Sequence, residues 1–451
     1  MNKSVLAIDI GTTSITTIVA QNDYNNKINI LGRGISVSSG INKGTIIDID
    51  KASDAIEESV NLARTNLNID IEDIIVSISG VHTKSLRSNG FINIPSGHIT
   101  HKEINQVLNV ALYDAKIVPD YEAIHVIPLY FKVDNADTID NPLNMNGSRL
   151  EVYAHIITAK RTYLTNIQNA LKKSNLEVTH FMLSSYASAI ATLEDDQKVL
   201  GTAVIDLGGS TTELAIFKNN SIIYDDVVAF GSENITNDLS VMSNIPLNVA
   251  DQIKKKYATL YPKEHENYIN NITNVKTPIL GNESEQQEIS LDLIQPIVHA
   301  RVEEILCFIY DKINNNNMTE NMYNIILTGG MSQIPGIELL AKKIFNDIPV
   351  KISTPKNIPN GYIDFNTPTL STIVGLLLYA LDTNPQFELN SQKQLRTKEV
   401  TINNEENKSL KENKILKNEI PQEENNELSN IKIEEKSSIL DKFWKKLSEW
   451  L

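Results

Sequence analysis

Two short stretches of this chain have the residue types that bind phosphate, and their patterns are nearly the same. The first is Asp9–Ser14 (DIGTTS) and the second is Asp206–Glu213 (DLGGSTTE). Glycines leave backbone N–H groups unobstructed, and the Thr and Ser hydroxyls add donors, so each stretch can cradle phosphate oxygens. The Asp that opens each stretch can hold a hydrated Mg²⁺, whose charge offsets the repulsion between carboxylate and phosphate.

A third stretch, Ile325–Ser332 (IILTGGMS), is an apolar run that ends in two glycines. Such an end lets a flat adenine or ribose ring approach the backbone closely, although a plain strand-to-helix turn has the same pattern. The candidate ligand-binding residues of the three stretches are Asp9, Gly11, Thr12, Thr13, Ser14, Asp206, Gly208, Gly209, Ser210, Thr211, Thr212, Gly329, Gly330 and Met331. Asp9 and Asp206 are the candidate Mg²⁺ residues, each acting through water.

The elements around the first two stretches also repeat. Each stretch follows an apolar run, Val5–Ile8 or Ala203–Ile205, and precedes a second β-rich run, Ile15–Ala20 or Glu213–Phe217. The pattern predicts a strand, a tight turn and a strand in both places. A single Gly turn is often only a β-turn, but two copies among alternating strands and helices favour two related α/β halves that face one another across a cleft.

The order of the three motifs resembles the superfamily of actin, heat-shock chaperones and sugar kinases. Two strings between the phosphate stretches, Ser96–Thr100 and Asn141–Ala159, look like the small inserted domain of the FtsA family of bacterial cell-division proteins. Two later strings, Phe230–Leu239 and Ala250–Lys254, are similar to the sequence that leads into the family's second small domain. The resemblance implies an α/β actin-like ATPase fold with ATP and Mg²⁺ in the cleft.

Some positions depart from the family pattern. Ser232 stands where the family usually has the second Gly of a pair, and Asp251 replaces the Glu of an Ala-Glu pair. Asp251 and Lys254 are candidates for contacts with the ribose and the base, with a solvated helix face as the alternative. No Gln or Glu occurs in 178–188, where actin-like ATPases orient the attacking water, and His180 is expected to be a packed residue. We therefore assign no catalytic residue and expect at most a weak ATPase, with ATP mainly an assembly ligand.

The composition excludes several classes of protein. The chain has 451 residues and 41% hydrophobic content, which suggests more than one domain. Its net charge of −15 argues against a nucleic-acid partner. Its one cysteine, Cys307, lies in the apolar run Ile305–Ile309 and is expected to pack in the core. Because there is only one cysteine, a disulfide within the chain is excluded. Val5–Ile8 is too short for the apolar region of a signal peptide.

The C-terminal part has a different character. From residue 383 the chain is rich in Asn, Glu, Lys, Gln and Ser, which predicts a disordered linker. In 437–451 the apolar residues fall on one helical face, which is typical of a helix lying in a membrane interface. The alternative is a helix that packs on the folded body or on a partner. The candidate membrane-binding residues are Ile439, Leu440, Phe443, Trp444, Leu447, Trp450 and Leu451.

The resemblance implies a division of the chain into domains and a function for it. The first actin-like half is 1–83 with 160–195, the inserted assembly domain is 84–159, the second half is 196–226 with 301–382, the second small domain, with base contacts and FtsZ binding, is 227–300, the disordered linker is 383–436, and the amphipathic helix is 437–451. The family polymerises at the cytoplasmic face of the inner membrane at the division site, tethers FtsZ there and recruits later divisome proteins.

Other functions on the same fold stay open at this point. A PilM-like pilus-assembly protein shares the insert but normally lacks a terminal helix. A small-molecule kinase or phosphatase needs a substrate pocket with a catalytic carboxylate and has no use for a tethered amphipathic end. A heat-shock chaperone is disfavoured because 383–451 is too polar and irregular for a peptide-binding domain.

Overall fold

A computed structural model describes residues 3–23, 27–262, 265, 274–358, 364–382 and 386–396. The first part of the chain forms β1 (Ser4–Ile10), β2 (Ser14–Asn22), β3 (Ile28–Val37), β4 (Ile41–Asn42), β5 (Thr45–Ile46), α1 (Ile49–Ala63), β6 (Asp73–Ile78), β7 (Thr83–Asn93), α2 (His101–Asp114), β8 (Tyr121–Val133), β9 (Arg149–Lys160), α3 (Arg161–Lys172), β10 (His180–Leu183) and α4 (Ser184–Thr192). The second part forms α5 (Asp195–Leu200), β11 (Thr202–Leu207), β12 (Thr212–Lys218), β13 (Ser221–Val228), α6 (Ser232–Ser243), α7 (Leu247–Tyr257), β14 (Asn274–Ile279), β15 (Asn282–Ser290), α8 (Leu291–Asn315), β16 (Asn324–Thr328), α9 (Ile337–Ile344), β17 (Val350–Ile352) and α10 (Ser371–Ala380).

Two mixed sheets form the centre of the molecule. The first has the order β10-β6-β1-β2-β3, and the second has the order β13-β12-β11-β16-β17. In each sheet a hairpin, β1–β2 or β11–β12, pairs antiparallel, and its first strand then pairs parallel with a later strand. The apolar run Val5–Ile8 is completely buried, as expected for a strand covered on both faces by other elements. The two related α/β halves predicted from the repeat are confirmed.

Helices α4 and α10 join the two halves. Helix α4 contacts β11 and β12 of the second half, and α10 packs on both α4 and β1. The helices approach so closely that a Cβ at Gly375 would lie 1.9 Å from the carbonyl oxygen of Ala187. Val204, Phe217 and Ile326 of the second half belong to the same buried cluster as the first sheet. The halves therefore share a continuous core on one side of the cleft.

The inserted domain predicted from the resemblance is also present. Strands β7, β9 and β8 form a three-stranded sheet, which is entered at Thr83 and left at Lys160. Helix α2 begins with a capping box between Thr100 and Glu103, and its buried residue Val107 contributes to the core of the insert. This α+β unit is built on the first half.

The insert contacts the second half as well. The Ser221 hydroxyl of β13 donates to the Pro128 carbonyl of β8 at 2.7 Å. His155 Nε2 on β9 lies 2.7 Å from Asp225 Oδ1 on β13, and both side chains are buried. Because the insert leaves the first half and contacts the second, it bridges the two.

The predicted disordered linker needs a correction at its start. Residues 386–396, which we call the strap, are part of the folded body. Leu389 is completely buried in the core of the insert. The polar composition of the strap did not predict this packing, because its polar side chains form hydrogen bonds with segments that are distant in sequence. The rest of the predicted linker and the predicted helix 437–451 lie outside the described residues.

Cys307 is exposed on α8, so its predicted place in the core is wrong. The apolar run around it is helical, and only Ile305, Leu306 and Ile309 face inwards. A run of five apolar residues is wider than the buried stripe of a helix, so Cys307 and Phe308 face outwards. Among the described helices, none is long and apolar enough to cross a membrane.

Candidate functional site

A cleft of about 980 Å³ lies between the two halves. The two hairpin turns line it from opposite sides, and the Thr12 and Ser210 hydroxyls lie 2.6 Å apart where the turns meet. All the predicted ligand-binding residues line the cleft except Ser210 and Thr212. Both exceptions are buried: Ser210 holds the first turn through Thr12, and the Thr212 hydroxyl donates to the Phe230 carbonyl. Thus the structure brings together three motifs that are far apart in sequence.

The second hairpin turn is held by the start of a helix. The Ser232 and Glu233 N–H groups of α6 donate to the carbonyls of Gly208 and Gly209, at 3.1 and 2.7 Å. A Cβ at Gly209 would lie 2.8 Å from a methyl group of Thr13 in the opposite turn. A side chain at this position would push Thr13 aside, so glycine favours the close approach of the two turns.

The two glycines of the third motif have different tasks. Gly329 has φ +82°, and a Cβ there would lie 2.3 Å from Asp206 Oδ1. A Cβ at Gly330 would meet only a methyl group of Thr369, at 3.6 Å. Gly329 thus lets the third motif pack against Asp206, while Gly330 leaves open space on the side that faces the cleft.

Asp9 and Asp206 lie half-buried at the floor of the cleft. Asp9 accepts a hydrogen bond from the Ser77 hydroxyl at 2.7 Å. The pKa of Asp9 is raised to about 6, mainly by burial; the hydrogen bond from Ser77 opposes the shift and the charge of Asp206 adds to it. Asp206 accepts from the hydroxyls of Ser188 at 2.5 Å and Thr372 at 3.2 Å. Burial also raises the pKa of Asp206.

Glu213 is the third carboxylate at this floor and is buried, and sequence reasoning did not select it. Its Oε1 accepts from the Ser79 hydroxyl at 2.7 Å and the Gly80 N–H at 3.2 Å. Its Oε2 accepts from the Ser185 N–H at 3.1 Å. Burial raises its pKa to about 7, with further contributions from Asp206 and Asp9. The hairpin register could have shown it, because Glu213 pairs directly with Asp206.

The acidic floor is suited to a hydrated divalent cation. Carboxylate oxygens are the ligands that Mg²⁺ prefers, and this ion usually keeps several of its waters. In the part of the chain that the structure describes, no three acidic, His or Cys residues are close enough to hold a metal ion together. Asp9 and Asp206, which line the cleft from opposite halves, fit a Mg²⁺ ion that they would hold through water.

Asp251 and Lys254 line the cleft from α7, and Lys254 is buried. The Lys254 ammonium donates to the Ser232 carbonyl at 3.1 Å, the Thr236 hydroxyl at 2.8 Å and Asp251 at 2.8 Å. Asp251 also pairs with Lys255 at 2.7 Å. Because the Lys254 ammonium already contacts three protein groups, its main structural role is to hold α6 and orient Asp251.

We expect Glu213→Gln to remove a pH-dependent loss of stability. The folded protein binds a proton at Glu213 up to about pH 7, whereas the unfolded chain releases it near 4.5. The contribution of the Glu213 proton to the free energy of unfolding is fully present below about pH 4.5. It is lost as the pH rises through about 7, which lowers the free energy of unfolding by up to roughly 3 kcal/mol. The free energy of unfolding of the variant, measured in urea without nucleotide from pH 4.5 to 8, should therefore rise relative to that of the parent. Parallel pH curves for the two proteins would contradict this.

Comparison with known proteins identifies the family. A family model described as "Cell division protein FtsA" matches residues 203–375, and a model of the "SHS2 domain inserted in FTSA" matches 80–158. The chain is 32% identical over 421 residues to the cell division protein FtsA of Helicobacter pylori, covering 87% of this chain and 85% of that protein. The chain belongs to the FtsA family. The FtsA resemblance predicted from the sequence is thereby confirmed.

Solved structures support the actin-like fold of this FtsA-family chain. A PilM-PilN type IV pilus biogenesis complex matches with a TM-score of 0.59 and 12% identity, covering 84% of this chain and 98% of that one. MreB5 of Spiroplasma citri bound to ADP matches with a TM-score of 0.51 and 13% identity, covering 84% of this chain and 96% of that one. At such low identity these likenesses concern the fold alone.

Proposed function

We propose that this FtsA-family protein binds ATP with Mg²⁺ in the cleft, assembles at the cytoplasmic face of the inner membrane and tethers FtsZ there. The observation that carries the proposal is the cleft itself, in which two glycine-containing hairpin turns face each other above a floor of carboxylates. Backbone N–H groups and hydroxyls of the turns would hold the phosphates, and hydrated Mg²⁺ would neutralise charge between them and the floor. MreB5, which shares the fold, has been solved with ADP.

The base and ribose would lie towards the third motif and α7. Gly330 leaves open space there, and Met331 and Asp251 both line the cleft. Asp251 is about one-third exposed and is oriented by two lysines, so a carboxylate oxygen can accept from a ribose hydroxyl. Lys254 would act on the nucleotide mainly by fixing Asp251.

Any hydrolysis would be slow. Both oxygens of Glu213, the carboxylate added to the site by the structure, are engaged by N–H or O–H donors from the first half and α4. These bonds hold the two halves together across the cleft and leave Glu213 poorly placed as a free base. ATP would thus serve mainly as a ligand that closes the cleft and favours assembly.

The second small domain is the proposed docking site for FtsZ. Four of its apolar side chains, Val241, Met242, Leu247 and Leu280, are more than half exposed. Exposed apolar residues grouped in one small domain are typical of protein interaction sites. The insert is the proposed assembly element, and the segment 437–451 is the proposed anchor to anionic lipid. The protein would be peripheral, located at the division site, where it would recruit later divisome proteins.

Binding of FtsZ to the purified full chain on anionic liposomes tests this proposal. Co-sedimentation of FtsZ with the liposomes should require both ATP and residues 437–451. A PilM-like function or a small-molecule kinase predicts no recruitment of FtsZ under any of these conditions. FtsZ that sediments equally well without the chain would also contradict the proposal.

We expect Met242→Asp to weaken FtsZ binding about tenfold or more, because it places a charge in the proposed apolar contact. Fluorescence anisotropy with a labelled FtsZ tail peptide measures the affinity. Leu339→Asp is the matched control, since Leu339 is a comparably exposed apolar residue on α9, outside the second small domain. Equal affinities of Met242→Asp and the parent would show that the peptide binds elsewhere.

A further inference from the structure

The strap is attached to the insert through both backbone and side chain. The Leu389 N–H and carbonyl both pair with Val126 of β8, each at 3.0 Å, and the Leu389 side chain is completely buried. The Arg396 N–H donates to the Glu388 carbonyl at 2.9 Å, which closes the strap into a hairpin. The strap therefore pairs with β8, the edge strand of the insert's sheet, through a single β-bridge at Leu389.

The strap also places a carboxylate in the interior. Glu388 is 1% exposed. Its Oε2 accepts from the Tyr186 hydroxyl at 2.8 Å, and its Oε1 accepts from the Tyr379 hydroxyl and lies 3.2 Å from His125 Nδ1. Although burial opposes ionisation, the bond to His125 and the charge of Arg396 keep the pKa of Glu388 below its ordinary value. The strap is thus fixed by an ionised group that has partners in the insert, α4 and α10.

Helix α4 connects this cluster to the floor of the cleft. Tyr186 contacts the strap, whereas the Ser188 hydroxyl donates to Asp206 at 2.5 Å. The Ser185 N–H, at the start of the same helix, donates to Glu213. Residues two apart on a helix point about 200° apart, so Tyr186 and Ser188 face opposite sides. One helix of nine residues therefore has the strap on one side and the cleft carboxylates on the other.

We propose that α4 couples the strap to the cleft, so that docking of the strap and binding of a nucleoside triphosphate stabilise each other. The inference rests on the proposed binding of ATP and adds a regulatory connection to it. Coupling of this kind is reciprocal by thermodynamic necessity. Because the chain runs on from Arg396 into the C-terminal segment, a pull on that segment acts first on the strap. The strap would make nucleotide affinity depend on the load that the tail bears.

The first arm of the test is Tyr186→Phe in the full chain. This change removes the hydroxyl between the strap and α4, while Tyr186 itself does not line the cleft. ATP affinity, measured by calorimetry, should fall at least about fivefold, the lower end of typical allosteric coupling. Tyr310→Phe is the matched control, since Tyr310 lies on α8, away from the strap, and the change removes a hydroxyl that accepts a hydrogen bond from Asn346; its affinity should equal that of the parent.

The second arm is hydrogen exchange in the parent protein. Saturating ATP should slow exchange of the Val126 and Leu389 amides. The effect should be larger than that on the amides of β7 and β9, two other strands of the same insert. The extra slowing should disappear in Tyr186→Phe. Strap exchange that does not respond to ATP, or an unchanged affinity in Tyr186→Phe, would overturn the coupling alone. A parent chain that binds no ATP would instead overturn the proposed function, and the coupling with it.

Discussion

Asp206→Ala should reduce ATP affinity by about 100-fold, the upper end of the cost of losing a group that orients the shell of a bound metal. Asp206 lies half-buried at the cleft floor, where its charge would hold hydrated Mg²⁺ against the phosphates. Its two hydroxyl partners, Ser188 and Thr372, lie 3.0 Å apart and can bond each other when the carboxylate is gone. The fold should therefore survive the change.

Titration calorimetry at saturating Mg²⁺ measures this effect, with urea unfolding as the check on the fold. Asp226→Ala is the matched control, because Asp226 lies on β13 of the same sheet and pairs with Lys312 outside the cleft lining. The control should bind ATP as the parent does. Unchanged affinity in a folded Asp206→Ala protein would mean that the proposed nucleotide site is wrong.

Trp444→Glu should release the protein from anionic liposomes while ATP binding and FtsZ binding persist. This expectation rests on the sequence, since 437–451 lies outside the described residues. Complete burial of a large apolar side chain is worth about 1.5–3 kcal/mol. An interfacial helix buries its apolar face only in part, and it must also be ordered, at about 1–2 kcal/mol per residue for the backbone. One charge on that face is therefore enough to abolish binding.

The same energies predict that the anchor needs assembly. Filament formation would place many helices above one surface, and avidity would supply what a single helix lacks. Variants unable to polymerise should therefore bind liposomes much more weakly than the parent.

Co-sedimentation across a series of protein concentrations tests both statements. Ser438→Glu is the matched control, because on a helical wheel it adds the same charge to the polar face, about 120° from Trp444. It should retain binding, as should Trp444→Phe, which keeps the apolar face. Equally tight binding by a strictly monomeric variant would show that the helix acts without assembly.

The sequence was sufficient to predict the hairpin turns and the cleft between related halves. The residues of each turn lie within about eight positions of one another, so their spacing fixes which side chains and N–H groups share a turn. Asp9 and Asp206 each end a buried strand, and the ends of corresponding strands in two facing halves point towards a common cleft. That these residues bind ATP and Mg²⁺ stays a prediction. The order of motifs and the strings of the insert were specific enough to indicate the FtsA family.

Only the tertiary structure revealed what surrounds those turns. Glu213 is held in the site by hydrogen bonds from Ser79 and Ser185, which lie in other segments of the chain. The strap has a polar composition typical of a linker, yet Glu388 is buried because Tyr186 and Tyr379 supply hydroxyls at its position. Whether a polar side chain is buried depends on partners that the packing of distant segments brings close. The composition of neighbouring residues does not predict those partners.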